Sequence, residues 1–473
     1  MFKYDIESNY RQRKNIYNVA IFLLVLFAAI AVYLFYVQIW DASFLNNNSH
    51  NRRSYFFADS IKRGAIIDRN GIVIAHSVEN ESGKYYRIYD YGAAFANITG
   101  YYSKKYGKTG IEAQLDDQLS GANNSLLAFG PIARLWQNDG ADVILTIDAR
   151  VQLNAYNALG GFSGAAVALN PQTGEILAFV SKPAFDPNNL DVSWQSLIND
   201  SSSPLIDRAA QGLYPPGSTI KAMMAAEALH YGVIDQTKTM DCTGQLKIGD
   251  YELIDDSHEV HGKINIKEAL IDSCNIFFGQ LAIDSGRSKV TSYFHDFKFS
   301  QSVPGIPDSV TAVIPDLQKL GDGDLAQTGI GQGGLLVTPL QMAIVTEAIA
   351  NGGSVELPYF VSSIRSNGKT IKTFYPERYF SVADNDNMAA VRDMMEAVVK
   401  RGTGTSVRIP GVRVGGKTGT AQNPHGQSHS WFVGFAPVEN PQVCVAVIAE
   451  NAGYGAGIAA SVARQIIIDA LRR

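Results

Sequence analysis

The chain is poor in cysteine, with only Cys242, Cys274 and Cys444 among 473 residues and no C-x-x-C pair. An odd count at wide spacing offers neither a disulfide framework nor a zinc knuckle, so these read as free thiols and no metal site is expected. A surplus of positive charge is also missing. Forty Lys and Arg face 45 Asp and Glu, a net charge of −5. That excludes the basic surface on which nucleic-acid binding depends. Internal repeats and low-complexity tracts are absent as well. What remains is a chain with 46% hydrophobic and 18% charged residues, suited to a sizeable core and longer than one domain commonly needs.

Long apolar runs are scarce, with one exception. Residues 16–40, "IYNVAIFLLVLFAAIAVYLFYVQIW", are 25 residues without a charge. A bilayer-spanning helix needs about 20. A cleaved signal peptide has an apolar core of about 7–15 residues and a small-residue cleavage site, and this run is too long and ends in bulky side chains. Arg11, Arg13 and Lys14 precede it, Asp41 follows, and the next positive charges are Arg52 and Arg53. The bias predicts a cytoplasmic tail over 1–15, a single membrane anchor over 16–40 and everything later outside the membrane.

Residues 41–140 are polar, tyrosine-rich and irregular, which fits a small, mostly β module. "SIKRGAIIDRNGIVIAHS" predicts a hairpin around Asp68-Arg69-Asn70-Gly71. "IEAQLDDQLSG" predicts a short amphipathic helix ending at Gly121. From 141 the pattern becomes regular. "DVILTIDARVQLNAYNAL" predicts a strand and then a helix capped by Asp148, and "GAAVALNPQTGEILAFVSK" predicts two strands joined at 170–174. Residues 218–350 read as mainly helical. Three strand-like runs, "VRVGGKTGT", "SWFVGFAP" and "QVCVAVIAE", precede a closing amphipathic helix, "GIAASVARQIIIDALRR". Strands from both ends of the domain predict one antiparallel sheet with helices on both faces.

Within "YPPGSTIKAMM" the two prolines and the glycine stop any regular element, and Ser218 then opens a helical run with Lys221 three places on. Residues at i and i+3 are neighbours on a helix, so hydroxyl and amine are expected to face one point. Serine is a weak nucleophile until a base takes its proton. A lysine can be that base once burial or a second cation lowers its pKa. S-x-x-K alone is a weak pattern, and it recurs at Ser366-Asn367-Gly368-Lys369, where Asn-Gly predicts a turn.

Two further elements strengthen it. Ser273-Cys274-Asn275 lies in a helical stretch and Lys417-Thr418-Gly419 in a strand-like run. Ser49-His50-Asn51 and Lys108-Thr109-Gly110 repeat these patterns, but both lie upstream of Ser218 in the polar module. Acyl transfer needs a nucleophile, a proton carrier and an oxyanion hole. Ser218 can attack, Lys221 accept its proton, Ser273 pass a proton to a leaving amine and Asn275 hold a peptide amide. Lys417 adds positive charge, Thr418 and Thr420 offer hydroxyls to a carboxylate, and Gly419 lets substrate backbone approach the strand. The N–H groups of Ser218 and Thr420 are the expected oxyanion hole. S-x-x-K with S-x-N and K-T-G is the set found in penicillin-binding proteins and serine β-lactamases.

Two other patterns carry less. Residues 411–418, "GVRVGGKT", match a phosphate-binding loop, but glycine and proline follow where a helix must begin. "HEVH" at 258–261 has one residue too few between Glu259 and His261 for a zinc protease, and loop histidines are the better reading. His429 and Trp431 are expected beside the last strands, bordering the cleft or simply packing.

Beyond the three motifs, "RGAIIDRNG", "GIEAQLDDQLSG", "RAAQGLYPPGSTIK", "DSCNIFFGQLA", "TGIGQGGLLVTPLQMA" and "VGGKTGTAQ…SWFVGFAP" resemble a class B penicillin-binding protein from the membrane span nearly to the C-terminus. The resemblance implies a serine β-lactamase/transpeptidase-like α/β fold, an antiparallel five-stranded sheet covered by helices. It also implies a pedestal or dimerisation-type module over 41–140 and a transpeptidase domain over 141–473. The implied activity is D,D-transpeptidation of peptidoglycan stem peptides ending in D-Ala-D-Ala, with no cofactor, with β-lactams acylating Ser218, and beside a multi-pass glycan polymerase. The same fold also serves D,D-carboxypeptidases, β-lactamases and β-lactam sensors, and a scaffold with a dead site is the non-enzyme alternative. The "RGAIIDRNG" module favours the transpeptidase, and intact Ser218, Lys221 and Lys417 speak against a scaffold.

Overall fold

The computed structural model describes residues 2–39, 61–121, 139–382, 385–424 and 426–472. The expected segment 41–60, with its Ser49-His50-Asn51, lies outside them. Two units are present, 1–60 and 61–473. The first is one helix, α1 (Phe2–Ile39). Its stretch Arg13–Val37 is long and apolar enough to cross a membrane, and its apolar side chains from Ile16 to Tyr36 are exposed.

The second unit holds two larger sheets. The first begins with β1 (Ile66–Ile67), β2 (Val73–Glu79) and β3 (Tyr85–Tyr89), followed by β4 (Asp142–Leu145) and α2 (Ala149–Ala158). Next come β5 (Gly164–Leu169), β6 (Ile176–Lys182), then a helical block of α3 (Lys221–His230), α4 (Ile266–Asp272), α5 (Asn275–Asp296) and α6 (Pro339–Ala350). The hairpin β7 (Val361–Ser366) and β8 (Lys369–Thr373) follows, then α7 (Asn385–Arg401), β9 (Gly415–Ala421), β10 (His429–Ala436), β11 (Val443–Ala449) and α8 (Ile458–Leu471).

One six-stranded sheet runs β8-β7-β4-β1-β2-β3, parallel only where β1 meets β4. It therefore combines strands from before residue 90 with strands from 142–145 and 361–373. Ser366 and Lys369, the second S-x-x-K, pair across the tight β7–β8 turn, with Asn367 and Gly368 in the left-handed region. Inside the helical block two small hairpin-like sheets also occur, Thr239–Cys242 with Gly262–Asn265 and Gln245–Ile248 with Tyr251–Ile254.

The second sheet runs β9-β10-β11-β5-β6 and is antiparallel throughout. Both faces are covered, so its strands read as unbroken apolar runs rather than alternating ones. On β11, Cys444, Ala446 and Ile448 face the core shared with α6, while Val443, Val445 and Val447 face α2 and α8. Every residue of α6 is buried, and a capping box stabilises its start: Thr338 Oγ1 accepts from the Gln341 amide and Gln341 Oε1 from the Thr338 amide. The Asp148 cap forms as expected, accepting from the amides of Arg150 and Val151.

Buried polar side chains explain the distinctive residues of the N-terminal module. Asp68 Oδ1 accepts from the amides of Asn70 and Ile72, closing the hairpin turn. Its Oδ2 accepts from the Ala149 amide at 3.0 Å, tying that turn to the start of α2. The helix over 110–119 forms with one irregular step at Leu115. It presents Glu112, fully buried, to two guanidiniums: Arg63 Nη2 donates to Oε2 at 2.7 Å and Arg87 Nε to Oε1 at 2.6 Å. Burial alone raises the Glu112 carboxyl, but Arg87 and Arg63 reverse this and hold it below its ordinary value. Lys108 of the upstream K-T-G pairs with Asp116, which also takes Arg63. Glu112→Gln removes the carboxylate that faces buried Arg87 and one of the two that face buried Arg63. We expect it to cost about 3–5 kcal/mol, read as a lower denaturant midpoint of the detergent-solubilised chain, and an unchanged midpoint refutes the pair's importance.

Candidate active site

The Ser218 turn starts from a backbone conformation that favours glycine. Gly217 has φ +53°, and a Cβ there would meet the Thr420 carbonyl oxygen at 2.8 Å. Residues Gly217–Ile220 form a 3-10 turn that carries Ser218, and Lys221 then opens α3. The helix expected after the two prolines is thus tightened through its first turn. Thr219 Oγ1 donates to the Pro216 carbonyl at 2.6 Å and braces that turn.

Ser273-Cys274-Asn275 occupies the junction of α4 and α5 rather than a continuous helix. Ser273 is left-handed, φ 61° and ψ 32°, an unfavourable conformation for a residue with a Cβ. Cys274 caps α5, its Sγ accepting from the Phe277 amide at 3.4 Å. The Asn275 amide is held by Asp255 Oδ1 at 3.0 Å, and Asn275 Nδ2 donates to the Ile254 carbonyl at 3.2 Å. Asp255 is a residue the motif patterns did not reveal, because it is distant in sequence and matches no short signature.

The two lysines meet at this junction. Lys221 is fully buried, and its Nζ donates to the Ser273 carbonyl at 2.6 Å, to Asn275 Oδ1 at 2.7 Å and to Ser273 Oγ at 3.4 Å. Lys417, also fully buried, donates to Ser273 Oγ at 2.8 Å and to the Thr418 carbonyl at 3.0 Å. One hydroxyl therefore stands between two amines. Burial pushes Lys221 down to about 8, although Asp255 opposes the shift. Burial and the neighbouring Lys221 charge push Lys417 well below its ordinary value. Among the described residues no hydrogen bond joins Ser218 Oγ to Lys221. The amine is already held by three oxygens of the 273–275 junction, and catalytic hydrogen bonds often tighten only in the substrate complex.

β9 lines the site with a free edge, as the first strand of its sheet. Thr418 Oγ1 lies 2.6 Å from Thr403 Oγ1, and Thr420 Oγ1 accepts from the Gly455 amide at 3.3 Å. A Cβ on Gly419 would meet Thr219 Cγ2 at 2.8 Å and the Pro216 carbonyl at 3.1 Å, so the strand and the Ser218 turn touch directly. The structure thus brings Lys221, Ser273, Asn275 and Lys417 into one hydrogen-bonded cluster, with the Ser218 turn, Thr418, Gly419 and Thr420 against it. Lys417 and Thr418 lie within β9, and the next element among the described residues is β10 rather than the helix a phosphate loop would require. Trp431 is buried, its Nε1 donating to the Pro215 carbonyl at 3.0 Å, and His429 is half-buried against Tyr214.

Behind the junction, Asp255, His261 and Cys274 place one donor atom each within 4.8 Å of one another. Oxygen, nitrogen and sulfur donors together could hold a borderline cation such as zinc. His261 is the one histidine of "HEVH" that takes part, and it pairs with Asp255 rather than with Glu259.

Two family patterns match the chain: "Penicillin binding protein transpeptidase domain" over residues 164–468 and "Penicillin binding protein A dimerisation domain" over 63–139. The chain is 33% identical to the peptidoglycan D,D-transpeptidase PbpA of Mycolicibacterium smegmatis, over 96% of this chain and 98% of that one. It is 31% identical to the peptidoglycan D,D-transpeptidase MrdA of Acinetobacter baumannii, over 80% of this chain and 65% of that one. The structure of penicillin-binding protein A from M. tuberculosis as its penicillin G acyl-enzyme complex superposes with a TM-score of 0.80 at 30% identity, covering 88% of this chain and 100% of that one. The chain belongs to the class B penicillin-binding proteins.

Gly217→Ala places a methyl group against the Thr420 carbonyl at a left-handed position, and such strain costs about 1–3 kcal/mol. We expect a folded protein with a lower melting temperature and slower labelling by fluorescent penicillin. Wild-type labelling would show that the turn tolerates displacement from β9.

Proposed function

We propose that the chain is a penicillin-binding D,D-transpeptidase, a serine acyltransferase that cross-links peptidoglycan stem peptides ending in D-Ala-D-Ala. The observation that carries this is the Ser273 hydroxyl between two buried lysine amines, beside the Ser218 turn and the free edge of β9. Acyl-enzyme complexes of a similar structure support it.

In this reading the stem peptide lies along β9, with Gly419 admitting its backbone and Thr418, Thr420 and Lys417 receiving its terminal carboxylate. The arriving carboxylate favours a proton on Lys417 and, by repulsion between the amines, a neutral Lys221. Lys221 takes the Ser218 proton as Ser218 Oγ bonds to the penultimate D-Ala carbonyl, and the N–H groups of Ser218 and Thr420 receive the oxyanion. Ser273 relays the proton to the leaving nitrogen, the amide C–N bond breaks and D-alanine departs. Asn275 orients the peptide amide. An acceptor amine then attacks the ester, forms the cross-link amide and returns the proton to Ser218. β-Lactams enter the first step and stay attached.

The same reading makes 1–15 a cytoplasmic tail, 16–40 a single-pass anchor, 41–140 a pedestal and 141–473 the extracytoplasmic transpeptidase domain, in a bacterial cell membrane and beside a multi-pass glycan polymerase. The charge pattern around residues 16–40 and the one membrane-length helix among the described residues support it.

Labelled penicillin is expected to attach at Ser218 by mass mapping, and Ser218→Ala to abolish the label; label retained in that variant would exclude Ser218 as nucleophile. Given stem peptide and an acceptor amine, the wild type is expected to yield more cross-link than free acid, and the reverse ratio marks a carboxypeptidase. Because Lys221 acts as the neutral base and burial brings it to about 8, the second-order acylation rate should rise as pH climbs through about 8 and level above it. Lys221→Arg, charged at every accessible pH, should abolish acylation throughout. A profile flat from about pH 6 to 9 would assign the base elsewhere.

A further inference from the structure

We propose that Glu450 is a positioning residue for the nucleophile turn, acting through the Tyr214 hydroxyl. The inference rests on the acyl-enzyme reading above and adds a group outside its three motifs.

Residues 214–216, which lead into the Ser218 turn, belong to no helix or extended strand, so contacts with neighbours decide where Ser218 stands. The Tyr214 amide and carbonyl both bond to Val337, at 3.0 and 2.9 Å. The Pro215 carbonyl accepts from Trp431 Nε1 at 3.0 Å, and the Gly217 amide donates to the Gly331 carbonyl at 2.9 Å. The one long side chain in this stretch is Tyr214. Its ring meets His429 and Trp431 edge-on, at centroid distances of 5.7 and 6.3 Å. Its hydroxyl passes these rings and donates to Glu450 Oε1 at 2.7 Å.

Glu450 is itself held. The same Oε1 accepts from Arg208 Nε at 2.8 Å, and the Glu450 amide donates to the Ser163 carbonyl at 2.7 Å. Arg208 Nη1 and Nη2 also donate to the Ser203 and Ser202 carbonyls, at 3.0 and 2.6 Å. The Arg208 and Glu450 side chains are 8% and 21% exposed, so this ion pair is screened only partly by solvent. Glu450 directly follows β11, an interior strand of the five-stranded sheet. A charge-assisted hydrogen bond to a carboxylate is about twice as strong as a neutral one. The Tyr214–Glu450 bond therefore ties the sheet interior to the chain four residues before Ser218. Glu450 bonds to none of Lys221, Ser273, Asn275 and Lys417, so it acts on position rather than on the chemistry.

Stopped-flow acylation of the full chain by labelled penicillin separates binding from the first-order acylation step. Misplacement of a reacting group by about 1 Å can cost about a hundredfold. For the smaller displacement expected here, Glu450→Gln and Tyr214→Phe should each slow the first-order step about tenfold, with the dissociation constant within about twofold of wild type. Glu450→Gln weakens, and Tyr214→Phe removes, the same hydrogen bond, so the two losses should not multiply in the double variant. Tyr214→Phe keeps the ring and its packing, so it decides the matter alone if Glu450→Gln fails to fold. A wild-type first-order constant in Tyr214→Phe, or losses that multiply in the double variant, overturn the positioning role while leaving Ser218 acylation intact. Wild-type label mapped to a residue other than Ser218 overturns the acyl-enzyme reading and this inference together.

Discussion

Two ammonium groups cannot share a buried site without shifting their protons, and this molecule places two lysines on the same serine hydroxyl. Lys221 and Lys417 are both without solvent exposure, and Ser273 Oγ lies 3.4 and 2.8 Å from their nitrogens. Water cannot supply the missing stabilisation, so every acceptor has to come from the chain. The Ser273 carbonyl, Asn275 Oδ1 and the Thr418 carbonyl provide it. To aim both carbonyl and hydroxyl of Ser273 at the lysines, its backbone takes a left-handed conformation that a regular helix would not permit. The break between α4 and α5 follows from that demand, and strain of this kind persists only where the surroundings enforce it.

Close approach of backbone to backbone assembles the rest of the crevice. Gly217 and Gly419 sit where the Ser218 turn meets β9, and a side chain at either would force the two apart. β9 is held on one edge by β10 and leaves the other free. Helices on both faces keep the sheet dry, which is why strands of alanine and valine suffice. The ties extend outward through Tyr214 and Glu450 on one side and through Asp68 and the Ala149 amide on the other.

Much of this was legible in local pattern. Period and turn chemistry located the 68–71 hairpin turn, the Asp148 cap, the five strands and the closing helix, because each is decided by residues close in sequence. The 361–373 hairpin escaped such reading as a partner of β4, since a strand's neighbour hundreds of residues away leaves no local mark. The 273–275 stretch has helical flanks and so carries a helical pattern; its left-handed step is required by lysines far off in the chain. Asp255 and Thr403 carry no short signature, and only proximity reveals them. Ser218 and Lys221, expected from i,i+3 spacing to face one point, share no hydrogen bond among the described residues, because spacing fixes which side chains are neighbours but not which acceptor an amine prefers.

Chemical type and order along the chain were settled by the sequence itself: an uncharged span of membrane length, a serine with a lysine three places on, and two later tripeptides of matching character. Their meeting was decided only in three dimensions. Burial of an amine, its proton affinity and the acceptors around it depend on the density of chain packed from all sides, and no local stretch contains that information. Whether Lys221 stands as a solvated cation or as a shielded amine of lowered proton affinity is therefore a property of the folded interior alone.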